Sequence, residues 1–301
     1  MCPWLCLPPL TGKDYTVGVM KTRNAIIGGI ALLALVAAAG GTWYVLGASV
    51  TDSDISADLS DDGPLPIPPV PPRIAEGHDY ETCLGMLTND PAGAENFAEA
   101  WEATGGGDGA THCLGLATIA LGDPDKGAKI LQDLADASHG TAVSRATVYG
   151  QADQAWLMAD EPDQAFGAAT MALSLSPDDP DLLVDRAVAA GLLERYQDSV
   201  DDLTHALDVD PKRADAYVFR GSAWRHMGQL ELAQDDIDRA LILDPDRPDA
   251  LLERGILRQR RNDRSGARDD WERAISLAPD SSTADLAQQN LALLEAGPSR
   301  R

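Results

Sequence analysis

Residues 177–210 read PDDPDLLVDRAVAAGLLERYQDSVDDLTHALDVD and residues 211–244 read PKRADAYVFRGSAWRHMGQLELAQDDIDRALILD, two segments of equal length on which the fold turns. Each opens on a proline. Each carries an arginine before a small residue in its first half (Arg186-Ala187, Arg220-Gly221) and an aspartate before a large apolar residue in its second (Asp202-Leu203, Asp236-Ile237). The register continues outward on both sides: Pro177, Pro211, Pro245 and Pro279 stand 34 residues apart, and each has an alanine five residues earlier (Ala172, Ala206, Ala240, Ala274). This is an internal repeat spanning residues 146–281. With each proline at position 32 of its unit, position 20 is small throughout (Ala165, Ser199, Ala233, Ala267), and position 8 is small in three units (Ala187, Gly221, Gly255), with Asp153 the exception.

This pattern resembles the tetratricopeptide repeat family over four units. The resemblance implies an all-α, right-handed superhelical solenoid of helix-turn-helix hairpins. Small residues stand where two antiparallel helices cross closely. First helices are expected at 146–159, 180–194, 214–227 and 248–261, and second helices at 163–175, 197–208, 231–243 and 264–277, each ended by its proline. Large apolar residues at position 4 (Leu183, Tyr217, Leu251) and Leu203, Ile237 and Trp271 at position 24 have the spacing of a buried face. A lone hairpin cannot bury both its faces, so stacking follows. The segment 282–301, with a helix at 283–296, reads as a C-terminal cap and tail.

Upstream, the chain delivers this unit. Residues 1–23 form a leader in which Met20-Lys21-Thr22-Arg23 looks like a second beginning, since it gives the basic start of a secretory segment. The apolar residues 24–50 fit a retained transmembrane anchor or a cleaved signal segment. Ala37-Ala38-Ala39 offers small residues for cleavage, while Trp43 and Tyr44 suit a membrane interface and favour the anchor. Lys21 and Arg23 precede the span and Asp52, Asp54, Asp58, Asp61 and Asp62 follow it, so the repeats are expected to face outward, in the periplasm of a bacterium. Residues 51–78 read as a linker, acidic and then proline-rich, extended in its second half.

Residues 79–140 read as two divergent hairpins. Thr82-Cys83-Leu84-Gly85-Met86 and His112-Cys113-Leu114-Gly115-Leu116 echo each other, and each precedes an Asp-Pro that opens a helix (Asp90-Pro91, Asp123-Pro124). The glycine-rich run 105–109 is expected to separate them as a flexible spacer. An even pair of cysteines in an oxidising compartment invites a Cys83–Cys113 disulfide. A regular translation of hairpins would instead set them about 8–10 Å apart, beyond a bridge, leaving two buried thiols. Both outcomes fit the sequence. The arrangement as a whole is similar to exported, membrane-anchored bacterial tetratricopeptide proteins of no assigned role.

Net charge is −24 over 301 residues; Lys13, Lys21 and Arg23 against Asp14 leave the first fifty at +2 and the remainder at −26. Such a field repels nucleic-acid phosphates and anionic lipid, so no nucleic-acid partner is expected and membrane contact is confined to the N-terminal segment. There is no phosphate-binding glycine loop, no His-Glu metal helix and no nucleophile elbow, and the five histidines are scattered. No catalytic, cofactor or metal site is expected, and the chain does not read as an enzyme.

Arg186, Arg220 and Arg254 recur at position 7 and Asp202, Asp236 and Asp270 at position 23, which predicts a structural ion-pair ladder joining the two helices of each hairpin. A partner, in contrast, breaks repeat symmetry. The family resemblance places the binding groove on first-helix positions 2, 5, 9, 12 and 13, here Gln154, Leu157, Met158, Val184, Val188, Leu192, Val218, Ser222, Arg225, His226, Leu252, Ile256, Gln259 and Arg260. This groove passes from apolar to basic and suits a peptide with apolar residues at one end and a carboxylate at the other. The Lys and Asn with which some family members clamp chaperone tails are replaced by Gly150, Gln154, Val184 and Val188. The expected role is a protein-interaction scaffold of the cell envelope. An accessory subunit of an envelope enzyme or secretion complex, and a self-assembling structural protein, are the alternatives.

Overall fold

A computed structural model describes residues 73–296. The leader, the 24–50 segment and the linker up to residue 72 lie outside the described residues. Thirteen helices and no strand occur among the described residues. They are α1 (His78–Met86), α2 (Pro91–Ala103), α3 (Gly107–Ala120), α4 (Pro124–Ala137), α5 (Ala142–Met158), α6 (Pro162–Leu175), α7 (Pro180–Leu192), α8 (Tyr196–Val209), α9 (Ala214–His226), α10 (Leu230–Leu243), α11 (Pro248–Arg260), α12 (Arg264–Leu277) and α13 (Ser282–Ala296). None of them is long and apolar enough to cross a membrane.

Local chemistry accounts for the boundaries. Prolines occupy the first turn of α2, α4, α6, α7 and α11, where a missing N–H costs nothing. The Asp90, Thr141, Asp179 and Asp263 side chains accept from backbone N–H groups of the turn they open. The Thr141 cap starts α5 at Ala142, four residues ahead of the repeat boundary read from the sequence. Five hairpins turn through a left-handed residue: Gly122, Asp160, Glu194, Gly228 and Asn262 have φ between 59° and 97°. That conformation is what reverses the chain within so few residues.

Each helix packs on its successor, and first helices also pack on one another: α1 on α3, α5 on α7, α7 on α9, α9 on α11 and α11 on α13. Small residues set the approach. A Cβ on Gly255 would lie 2.3 Å from Trp271 Nε1, so only glycine at position 8 lets the indole seat itself and donate to the Leu252 carbonyl at 3.1 Å. The core is alanine with interleaved leucines. Its two large clusters span Leu131 to Ala216 and Val218 to Leu294, and Tyr217 packs against both.

Two expectations need correction here. The glycine run is no spacer: α3 begins at Gly107, and Gly109 is buried so close to Trp101 that a Cβ would sit 2.8 Å from the indole. The linker also ends sooner than residue 78. Ile74 packs against the large N-terminal cluster and Arg73 pairs with Glu81, which ties residues 73–77 to the helices.

Candidate functional site

Within the hairpins, three arginines of the first helix meet three aspartates of the second through paired bonds. Arg186 Nη2 and Nε donate to Asp202 at 2.6 and 2.8 Å, Arg220 to Asp236 at 2.7 and 2.8 Å, and Arg254 to Asp270 at 2.7 and 3.0 Å. The three carboxylates are buried. The two-pronged geometry fixes one helix against the other, and the hydrogen bonds raise the affinity of Arg186 and Arg254 for their protons. Arg258 adds a second cation on Asp270 at 2.8 Å.

At the N-terminal end Cys83 and Cys113 are bridged, with Cα atoms 6.2 Å apart. The wider spacing of a regular stack does not apply, because α1 is only nine residues long and packs on both α2 and α3 around the small Ala98. Beside the bridge, Tyr80 Oη lies 2.8 Å from His112 Nδ1, and His112 Nε2 lies 2.7 Å from Gln151 Oε1. The Gln151 oxygen can only accept, so Nε2 donates and Nδ1 accepts a hydrogen bond from the Tyr80 hydroxyl. Burial lowers the pKa of His112, which agrees with a neutral ring.

The His112–Gln151 contact is the first of a series. Gln154 Nε2 donates to Asp185 Oδ2 at 3.2 Å, and Ser222 Oγ donates to Glu253 Oε1 at 3.0 Å. In both, position 9 of one repeat reaches position 6 of the next, so these are joints between repeats. The intervening joint pairs Val188 with Phe219 by position, both of them packed on the core. The sequence reading does not reach Gln151, Asp185 or Glu253. For Asp185 and Glu253 the only signal is the 31-residue offset from position 9 to position 6, and the residues along it share no chemistry; Gln151 lies 39 residues from His112, off that spacing.

The groove candidates divide. Val184, Val218, Ser222 and Leu252 are 5, 0, 1 and 2% exposed, so they belong to the helix–helix packing and cannot receive a partner. Val188, Leu192 and Ile256 are half-buried and rest against the core clusters. Leu157, Met158, His226 and Gln259 keep part of their surface, and Gln154 and Arg260 are exposed. Arg225 is the clearest correction. Its Nε lies 2.6 Å from Glu253 Oε2 and its Nη2 reaches Glu253, Ser222 and His226, so it is consumed in the joint between α9 and α11.

His226 stacks on Tyr196, with ring centroids 4.9 Å apart. Burial first, then the Arg225 and Arg260 charges, lower its pKa to about 4, against the opposing pull of Glu253. At neutral pH it is an uncharged ring that accepts from Arg225. Arg260 is an exposed cation at this end of the face.

Electrostatics at the α5–α7 joint are reversed. Asp153, the lone large residue at position 8, is 0% exposed, and neither carboxylate oxygen has a hydrogen-bond partner. Burial, then the charge of Asp185, raises its pKa well above the usual carboxylate value. Asp185 is itself pushed up to about 7 by burial, with the Gln154 bond and Arg213 opposing and Asp181 and Asp179 reinforcing the shift. Among the described residues no three His, Cys, Asp or Glu side chains converge as a metal site would require.

Comparison with known proteins bears on the same helices. Residues 227–292, which run from the α9–α10 corner into α13, match a family model described as a tetratricopeptide repeat. A search of the curated proteins finds no match. Among solved structures, the crystal structure of the APC/C hetero-tetramer Cut9–Hcn1 is similar over 71% of this chain, with a TM-score of 0.55 and 15% identity; the match spans 42% of that chain. A thermophilic tetratricopeptide-repeat protein of Thermus thermophilus is similar over 62% of this chain and 100% of its own, at TM-score 0.51 and 17% identity. MamA from Desulfovibrio magneticus is similar over 59% and 99%, at TM-score 0.50 and 19% identity. At these identities the likeness is one of fold.

Proposed function

We propose that this chain, being a tetratricopeptide-repeat protein, is a protein-interaction scaffold that holds a peptide or partner protein along the face of its first helices. One observation supports this above the others. The hairpin interiors repeat the same solution, an Arg–Asp pair beside a small residue, while the accessible residues of the first helices change from unit to unit. They pass from Gln154, Leu157 and Met158 through Val188 and Leu192 to His226, Gln259 and Arg260. Structural need is periodic, so the aperiodic face is where recognition belongs.

The setting we infer is the bacterial cell envelope, with residues 24–50 as anchor or export signal and the repeats on the outer side of the inner membrane. The charge asymmetry around that segment supports the orientation, and the Cys83–Cys113 bridge supports an oxidising compartment.

One experiment tests both parts. A membrane-impermeant amine crosslinker is added to spheroplasts expressing the full chain, and captured proteins are identified by mass spectrometry. Wild type is expected to be crosslinked to a partner, and Arg260→Glu to lose most of that product at an unchanged Tm. Arg225→Glu should instead unfold early, because it leaves Glu253 buried beside a like charge. Absence of crosslinking to the outer-side reagent, or undiminished capture by Arg260→Glu, would refute the reading.

A further inference from the structure

Of the four residues at position 6, two are acids, and the protein treats them differently. Glu253 at the α9–α11 joint is met by Arg225, which comes from position 12 of the preceding repeat and binds it through both nitrogens and a shared Ser222. Asp185 at the α5–α7 joint has the same neighbours by register, and there position 12 is Leu157, which carries no charge. Its one side-chain donor is the neutral Gln154 amide at 3.2 Å. Asp153, one residue before Gln154 and near enough to feel the charge of Asp185, is fully buried with both oxygens unpartnered. Arg213, whose charge acts on Asp185, is committed to Asp215 at 2.6 Å and to Asp181. Two carboxylates have therefore been brought together at a joint that lacks the cation its counterpart contains. Buried charge is retained at such cost only where something neutralises it.

We propose that the α5–α7 joint is the subsite at which the groove receives a basic side chain of the bound peptide, a guanidinium or ammonium group that pairs with Asp185 as Arg225 pairs with Glu253. The inference rests on the groove reading above and gives it a polarity. Asp185 keeps part of its surface accessible, so it makes the contact. Asp153 stays buried behind it, and its two unpartnered oxygens mark the joint as short of donors. Leu157, which takes the place of the internal arginine, leaves the approach open and offers an apolar wall to the stem of the incoming side chain.

When the subsite is empty, a proton takes the cation's place. The groups that face Asp185 are Asp153 and the neutral Gln154 from α5, Asp181 on α7, Asp179 before α7, and Arg213 before α9. Their sum leaves its carboxyl titrating at about 7. The sign follows directly: the basic group binds the ionised form, so affinity is full above pH 8 and falls about tenfold per pH unit below about pH 7, as the competent fraction shrinks.

The test uses the full chain and two fluorescein-labelled octapeptides that share two leucines and a C-terminal glutamate. One carries arginine at its fourth residue, the other citrulline, which has the same shape without the charge. Anisotropy titrations should show the arginine probe binding at least about tenfold tighter than the citrulline probe at pH 8, with the gap mostly lost at pH 6. Asp185→Asn should equalise the two probes at both pH values. Leu157→Arg should supply the missing cation from within, raise the Tm and also abolish the preference.

Equal binding of both probes by the wild-type chain overturns the subsite and leaves the groove standing. Retention of the preference by Asp185→Asn also overturns it. Binding of neither probe removes the groove reading and this inference with it.

Discussion

Asp153 shows how much one side chain can weigh in a stack of small ones. Its counterparts at position 8 are Ala187, Gly221 and Gly255, each taking up the close crossing of two helices, and a carboxylate in that place has no donor to meet. Burial raises its pKa well above 3.8, so the folded state holds a proton that the unfolded state releases. For an acid shifted in this direction, stability falls as pH rises from the ordinary carboxylate range toward the folded value, and the penalty is fullest above it. Asp153→Ala is therefore expected to stabilise the protein at pH 7.5 by about 1–3 kcal/mol, the cost of an unsatisfied buried polar group, with much less gain at pH 4. Urea unfolding at the two pH values measures this. An equal effect at both would show that packing volume, not charge, sets the penalty.

At the scale of the element, the hairpin is the unit in which sequence and structure correspond most directly. The proline spacing reports helix ends, because proline cannot continue a helix and is tolerated only at its start. The small residues at positions 8 and 20 report crossings, because nothing larger fits beneath Trp271 or Ile237. Relations between hairpins are far less legible. Glu253 cannot be seen as the partner of Arg225 from 28 residues away, since the four residues at position 6 are an amide, two acids and an aromatic with no common property to align. In the sequence Arg225 thus looks like a free groove cation, and Val218 and Leu252 look accessible, until the neighbouring repeat is in place to cover them.

The Arg–Asp pairs belong to this scale as well. Asp236→Ala should cost about 3 kcal/mol by stranding Arg220, discounted somewhat because the guanidinium is partly in water. Replacing both Arg220 and Asp236 by leucine should be nearly neutral. Chemical denaturation of the single and double variants reads the difference, and a double variant as unstable as the single would mean the pair is a net source of stability.

Across the described stack, contacts join each helix only to its near neighbours, so a perturbation at one end has no direct route to the other. The Cys83–Cys113 bridge makes this measurable. It closes a loop across a sequence separation of 30, worth about 3.5 kcal/mol by chain entropy, and it sits in a small cluster with Ala98, apart from the two large ones. Reduction, or the paired change Cys83→Ala and Cys113→Ala, should speed amide hydrogen exchange in α1, α2 and the start of α3, while α9 to α12 keep wild-type protection. Uniform loss through α13 would instead identify the stack as one cooperative unit, which Tyr217 could transmit because it packs on both large clusters. The distinction decides how a partner would act on the molecule. In a locally stable stack, a peptide lying from Leu157 to Arg260 protects the joints it touches and leaves the bridged end as it was. Binding would then appear as a footprint of slowed exchange centred on α5 to α11.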